Sequence, residues 1–179
     1  MSVDEELGES AREAKEPFEI KVAVSMAIIA AALAIVTVLG HIYANEELLA
    51  QQKASDQWAY YQAKSIRRYE SDIAKDVLQL MNARQADTEA AKSVEKYAAN
   101  QEKYEKEGEE VQKEAQKLEV ESALNGSKAL RMHTGEVFLE VGIVFASLAI
   151  LTKRRLAWSA AIGSACLGAA IALSVLLIH

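Results

Sequence analysis

Proline is absent after Pro17, and glycine is absent between Gly40 and Gly108. These two residues most readily stop a helix, so the gaps permit very long uninterrupted helices. Cysteine is almost missing: Cys166 is the single one, which excludes an internal disulfide, and inside an apolar run it reads as a small apolar residue. There is no G-x-S-x-G, H-E-x-x-H, C-x-x-C or Gly-rich phosphate loop, so the sequence points to no enzyme, no catalytic residue and no cofactor. A clustered basic face is absent too. Seventeen acidic and fourteen basic residues are interspersed over 44–135, the pattern of a solvated helical surface, which argues against a nucleic-acid partner.

What the chain does have is three apolar runs, Val22–Leu39, Val137–Thr152 and Leu156–Ile178. A bilayer core needs roughly 20 apolar residues as helix. The first run, lengthened by Ile42 and Tyr43, and the third meet that; the second is shorter and carries Glu140. The leader before the first run is long and acidic and no A-x-A-like cleavage site follows, so this run reads as a retained anchor rather than a signal peptide. The fold class expected is an all-α membrane protein. An acidic N-terminal segment (1–18) precedes a first transmembrane helix (19–43). A soluble antiparallel helical hairpin (44–127) follows, then a helix leading into the second span (128–152) and a third span (156–178). Lys153-Arg154-Arg155 is a tight basic cluster between the last two spans, and short basic loops stay cytoplasmic while long loops translocate largely regardless of charge. Lys21, Lys15 and Arg12 agree with that sense, placing the N-terminus inside and the hairpin outside the cytoplasmic membrane.

In the first arm of the hairpin, Trp58, Ile66, Tyr69, Ile73, Val77 and Leu80 recur mostly three or four apart, and from Ile66 the 3-4-4-3 spacing favours a nearly straight stripe. In the second, Ala90, Val94, Tyr97, Gln101, Tyr104, Gly108, Val111, Ala115 and Leu118 form a strict 3-4 heptad, as in a coiled coil, with polar Gln101 and Gly108 weakening the seam. At 1.5 Å per residue, arms of matched length, roughly 60 and 55 Å, put the tip near 84–88, with Asp87 as a cap. Asn125-Gly126-Ser127 supplies a helix stop, with Gly126 at the left-handed position. Two helices bury one stripe and leave Trp58, Tyr60 or Tyr61 partly bare, so a homo-oligomer is expected to cover them.

The run Trp58-Ala59-Tyr60-Tyr61-Gln62-Ala63-Lys64-Ser65-Ile66-Arg67, after one span and before two more, resembles a family of uncharacterised bacterial membrane proteins, domain-of-unknown-function family 4337. Pro17-Phe18-Glu19 and Ala44-Asn45-Glu46 are compatible with it, and the resemblance covers nearly the whole chain. It implies a bacterial membrane setting and no activity, cofactor or catalytic residue.

The candidate sites are few. Trp58, Tyr61, Lys64, Arg67 and Arg68 could form an interaction surface for an unidentified protein partner, against the plainer reading that they pack the hairpin and its neighbours. Glu140 is the one ionisable residue within a span. It reads either as a headgroup-level carboxylate paired with Arg131 or Lys128, or as a cation-handling group in an oligomeric pore, with Glu136 and Ser147 on its face. His41 and His133 near Glu136 and Glu140 are zinc-type donors without metal-motif spacing, and no metal is assigned. Ala160, Ser164, Gly168 and Ala172 recur every four residues beside a parallel row of Ala161, Ala165 and Ala169, a small-residue ridge for close helix packing; its partner is either the Ala23–Ala27–Ala31 row or another subunit. The function this favours is a homo-oligomeric scaffold displaying a helical projection from the lipid bilayer; the alternative is an ion channel or transporter accessory using Glu140.

Overall fold

A computed structural model describes residues 16–82 and 88–178. Their regular structure is entirely helical: α1 is Glu16–Asn82, α2 is Thr88–Thr152, α3 is Arg155–Leu173, and a 3-10 turn, Ser174–Leu177, follows. No strand occurs among the described residues. Each of the three helices contains a stretch long and apolar enough to cross a membrane. Pro17 lies in the first turn of α1, where its missing N–H costs nothing. The tip expected near 84–88, with Asp87 as cap, lies outside the described residues apart from Thr88, the first residue of α2. Most of the acidic 1–18 segment lies outside them as well.

The helix stop expected at Asn125-Gly126-Ser127 does not occur. α2 runs through it without a break, and among the described residues no glycine has positive φ. A glycine inside a helix costs roughly 1 kcal/mol relative to alanine, which is small beside the packing of the turns that follow, where Ala129 and Met132 are buried. The reversal between α2 and α3 needs only Lys153 and Arg154, and Lys153 takes the left-handed conformation, φ 53°, that glycine usually supplies.

The chain divides into two compact units, one formed by residues up to Glu46 and from Leu124 onward, the other by Glu47–Ala123. In the first unit α2 packs against both other helices. Against α1 it is tied by Thr37–Glu136 and, three turns away, by Met26–Ser147, with Lys153 and Glu19 forming an ion pair of 2.7 Å beyond them. Ile29, Val36, Met132 and Leu139 fill the space between. Against α3 the contact is made by small residues. A Cβ placed on Gly168 would stand 2.6 Å from the carbonyl oxygen of Gly135, and one on Gly135 would stand 2.7 Å from that of Gly168. Two turns along α2, Gly142 faces Ala161 and Ala165, and between them Ser164 donates to the carbonyl of Phe138 at 2.7 Å. The partner of the small-residue ridge is therefore α2 of the same chain, from Gly135 to Gly142. The buried line is Ala161, Ala165, Gly168 and Ala172, drawn from both sequence rows, while Ala160 is exposed.

In the second unit, contacts between α1 and α2 begin at Ser122–Glu47 and continue through Trp58–Glu119, Lys64–Glu107, Arg68–Glu105 and Lys75–Gln101, so partner numbers on α2 fall as those on α1 rise. On α2 the positions of the heptad from Val94 to Leu118 are buried or half-buried, Ala115 completely. On α1 the inward face is not the apolar stripe. It is Ala54, Tyr61, Arg68 and Lys75, every seventh residue, with Gln57, Lys64, Ser71 and Leu78 beside them. Ile66, Tyr69, Ile73, Val77 and Leu80 lie on the other side of α1 and are exposed, Ile73 by 65% and Leu80 by 71%. The spacing of the apolar side chains located a real stripe but not the face that meets α2.

Candidate functional sites

The Trp58-to-Arg68 stretch is held by a ladder of polar contacts to α2. Trp58 Nε1 donates to Glu119 Oε1 at 2.8 Å, and the Trp58 ring stands edge-on to Tyr61 with centroids 5.6 Å apart. Tyr61 lies over Gly108, where an added Cβ would sit 3.7 Å from the ring. Lys64 bonds Glu107 and lies 5.0 Å from the ring centroid of Tyr60 and 5.5 Å from that of Tyr104. Arg68 reaches Glu105 at 3.2 Å, and Lys75 bridges Asp72 and Gln101. Arg67 is exposed and stands outside this ladder. Four of the five candidate interaction residues are thus engaged within the chain. Trp58 also lines a cleft of 420 Å³ with Ala54, Glu119 and Ser122.

The Lys64–Glu107 contact shifts both groups. The Lys64 hydrogen bond holds the Glu107 carboxyl below its ordinary range, and the Glu107 hydrogen bond, with Tyr60 second, raises the Lys64 ammonium. A lowered carboxyl adds stability that is present above its unfolded pKa and lost as pH falls through the folded one. A raised ammonium adds stability that is present below its unfolded pKa and lost as pH rises through the folded one. The pair is therefore expected to hold across the neutral range and to weaken first in acid below the usual glutamate range. A pH series of thermal melts should show that acid loss in the wild type and a smaller one in Glu107→Gln. Equal acid sensitivity in both would mean that the pair adds nothing, as for many exposed ion pairs.

The chain matches the family described as Domain of unknown function (DUF4337) over residues 18–178. It belongs to that family. No curated protein and no solved structure matches it. In this DUF4337 chain the match takes in both units, so the ladder and the apolar helices are parts of one family domain.

The other candidate, Glu140, lies on α2 between the two contacts to α1. It is one turn, about 6 Å, beyond Glu136 toward Ser147, level with the interior of the first apolar run rather than its end. It is exposed and, among the described residues, has no hydrogen-bond or ion-pair partner. The expected pairing with Arg131 or Lys128 does not occur. Arg131 donates to the carbonyl and hydroxyl oxygens of Ser174 at 3.3 and 3.1 Å, and Lys128 lies 5.7 Å from the ring centroid of Tyr43. Nor do the neighbours read on its face share its surroundings. Glu136 accepts from Thr37 at 2.6 Å and contacts His133 at 3.0 Å, and the hydroxyl of Ser147 bonds the carbonyl of Ile143. His41 and His133 stand 6.0 Å apart, and no group of three metal-type donors occurs among the described residues.

Proposed function

We propose that this protein is an integral membrane scaffold. Its three apolar stretches span the bilayer and residues 44–127 form an antiparallel helical hairpin on the outer side, displayed by a homo-oligomer. The reading is supported above all by the bare apolar stripe of α1, Ile66, Tyr69, Ile73, Val77 and Leu80, on the side away from α2. A run of five large apolar side chains on a soluble helix marks an association surface. A second copy, presenting the same straight stripe, matches it in length and chemistry. Lys153-Arg154-Arg155 supports the sidedness. Lys153 is paired with Glu19, but topology follows the count of Lys and Arg rather than net charge, so the pair does not weaken that support. Burying a charge in an apolar interface is strongly unfavourable, so Ile73→Asp is expected to lower the subunit number measured by light scattering in mild detergent while leaving helix content unchanged. A monomeric wild type, or an unchanged oligomer in Ile73→Asp, would contradict the reading.

Glu140 supports a second reading, an oligomeric channel or transporter accessory. A carboxylate without a partner inside an apolar stretch calls for water or for a neighbouring subunit. Ion flux through liposomes carrying the protein separates the two. Its absence across pH and voltage would remove the channel reading.

A further inference from the structure

We propose that the groove between α1 and α3 holds an acyl chain of an anionic phospholipid whose phosphate is bound by Lys128 and Arg131. The two helices both pack on α2 but leave a furrow between them, with Leu139 on its floor. It has two adjoining sections, of 260 and 290 Å³, which share Ala32, Leu139 and Ala169. One section reaches Ser25 and Cys166, the other Leu39, Met132 and Leu176. From Ser25 to Leu39 the furrow runs about 20 Å along α1. One leaflet contributes half of a hydrocarbon core of roughly 30 Å, so an extended chain entering at the Leu39 end meets protein along its whole length.

That end is where the cations are. Lys128 and Met132 are one turn apart on α2, and Met132 and Leu139 two turns, so Lys128 continues the line of the furrow floor beyond the apolar run. It is half-buried with its ammonium over the ring of Tyr43, a residue type that favours the membrane–water boundary. Arg131 is fixed on the terminal carbonyl and hydroxyl of Ser174, next to Leu173 of the furrow wall, through Nη1, and its other donors are not used in these bonds. Among the described residues neither cation is paired with a carboxylate. Glu46 lies one turn beyond Tyr43 without an ion-pair partner, and Glu136 is committed to Thr37 and His133. An apolar furrow that ends in two unpaired cations is complementary to a single-charged phosphate ester with a long tail, and basic pockets between membrane helices bind such headgroups.

The test is native mass spectrometry of the full-length protein in neutral detergent with equal amounts of phosphatidylglycerol and phosphatidylcholine. Retained phosphatidylglycerol should exceed phosphatidylcholine about thirtyfold, given about 1 kcal/mol for each of the two cations at the surface. Lys128→Gln with Arg131→Gln should bring it down to the phosphatidylcholine level, with helix content and thermal midpoint measured alongside because the Arg131–Ser174 bonds are lost. Ala169→Phe, which fills the furrow, should remove both lipids. Equal retention of the two lipids by the wild type, or unchanged selectivity in the double charge variant, would overturn the proposal. So would a change of subunit number in Ala169→Phe with lipid retention preserved, since the furrow would then seat another protein chain.

Discussion

Gly168→Leu is expected to be among the most damaging single substitutions in the membrane-type unit. The first carbon of any side chain at 168 already meets the Gly135 carbonyl oxygen at 2.6 Å and the Phe138 Cβ at 3.0 Å. The first of these is backbone, which cannot swing aside, so α2 and α3 must separate over the stretch where Ser164 bonds Phe138 and Ala172 meets Gly135. Overpacking of a close contact costs about 1–3 kcal/mol. Between helices in lipid that close contact is itself the main source of association. The thermal midpoint in mild detergent should fall clearly for Gly168→Leu and for Gly135→Leu. Gly163→Ala is the control, since nothing lies within 4 Å of an added Cβ there. A Gly168→Leu melt indistinguishable from that of Gly163→Ala would mean that α2 and α3 do not touch in the membrane.

Glu140 carries the second large effect. Among the described residues its carboxylate has no partner, and it sits about 6 Å further along α2 than Glu136, which Thr37 and His133 satisfy. An acidic side chain at the middle of a spanning helix opposes insertion by roughly 2.5–3.5 kcal/mol on translocon-based scales. Glu140→Leu is therefore expected to shift insertion of the second span by about that amount, read as the inserted fraction in a translocon assay. An unchanged fraction would place the carboxylate outside the hydrocarbon. In the channel reading, Glu140→Gln alters ion flux while the oligomer stays intact.

Much of this architecture was legible in the chain. The missing prolines and the glycine-free stretch after Gly40 foretold a helix as long as α1, and the three apolar runs foretold which segments are long and apolar enough to cross a membrane. Three features were not legible, each for a physical reason. Gly126 reads as a stop because glycine at a helix end is common, but glycine also tolerates a helix interior when packing holds both flanks. The ridge at Gly168 was visible, whereas its partner was not, because Gly135 and Gly142 are seven residues apart and escape a search for four-residue rows. The inward face of α1 was hidden because Tyr61, Lys64, Arg68 and Lys75 meet α2 through polar side chains. Apolar periodicity finds the face that avoids water, and on this helix that is the face α2 leaves bare. The signal that would have found the seam was its seven-residue recurrence of Ala54, Tyr61, Arg68 and Lys75, matching the heptad of the other helix.

The central claim, a helical hairpin held outside the membrane by three spans, is tested most directly by thiol accessibility in spheroplasts. The background is Cys166→Ala, with a single cysteine introduced as Met81→Cys, at an exposed position of α1, or as Arg155→Cys, at the basic start of α3. A membrane-impermeant maleimide is expected to label Met81→Cys in intact spheroplasts and Arg155→Cys only after lysis. Labelling of Arg155→Cys in intact spheroplasts with Met81→Cys protected would invert the topology, and labelling of both would mean that the two positions are not separated by a membrane.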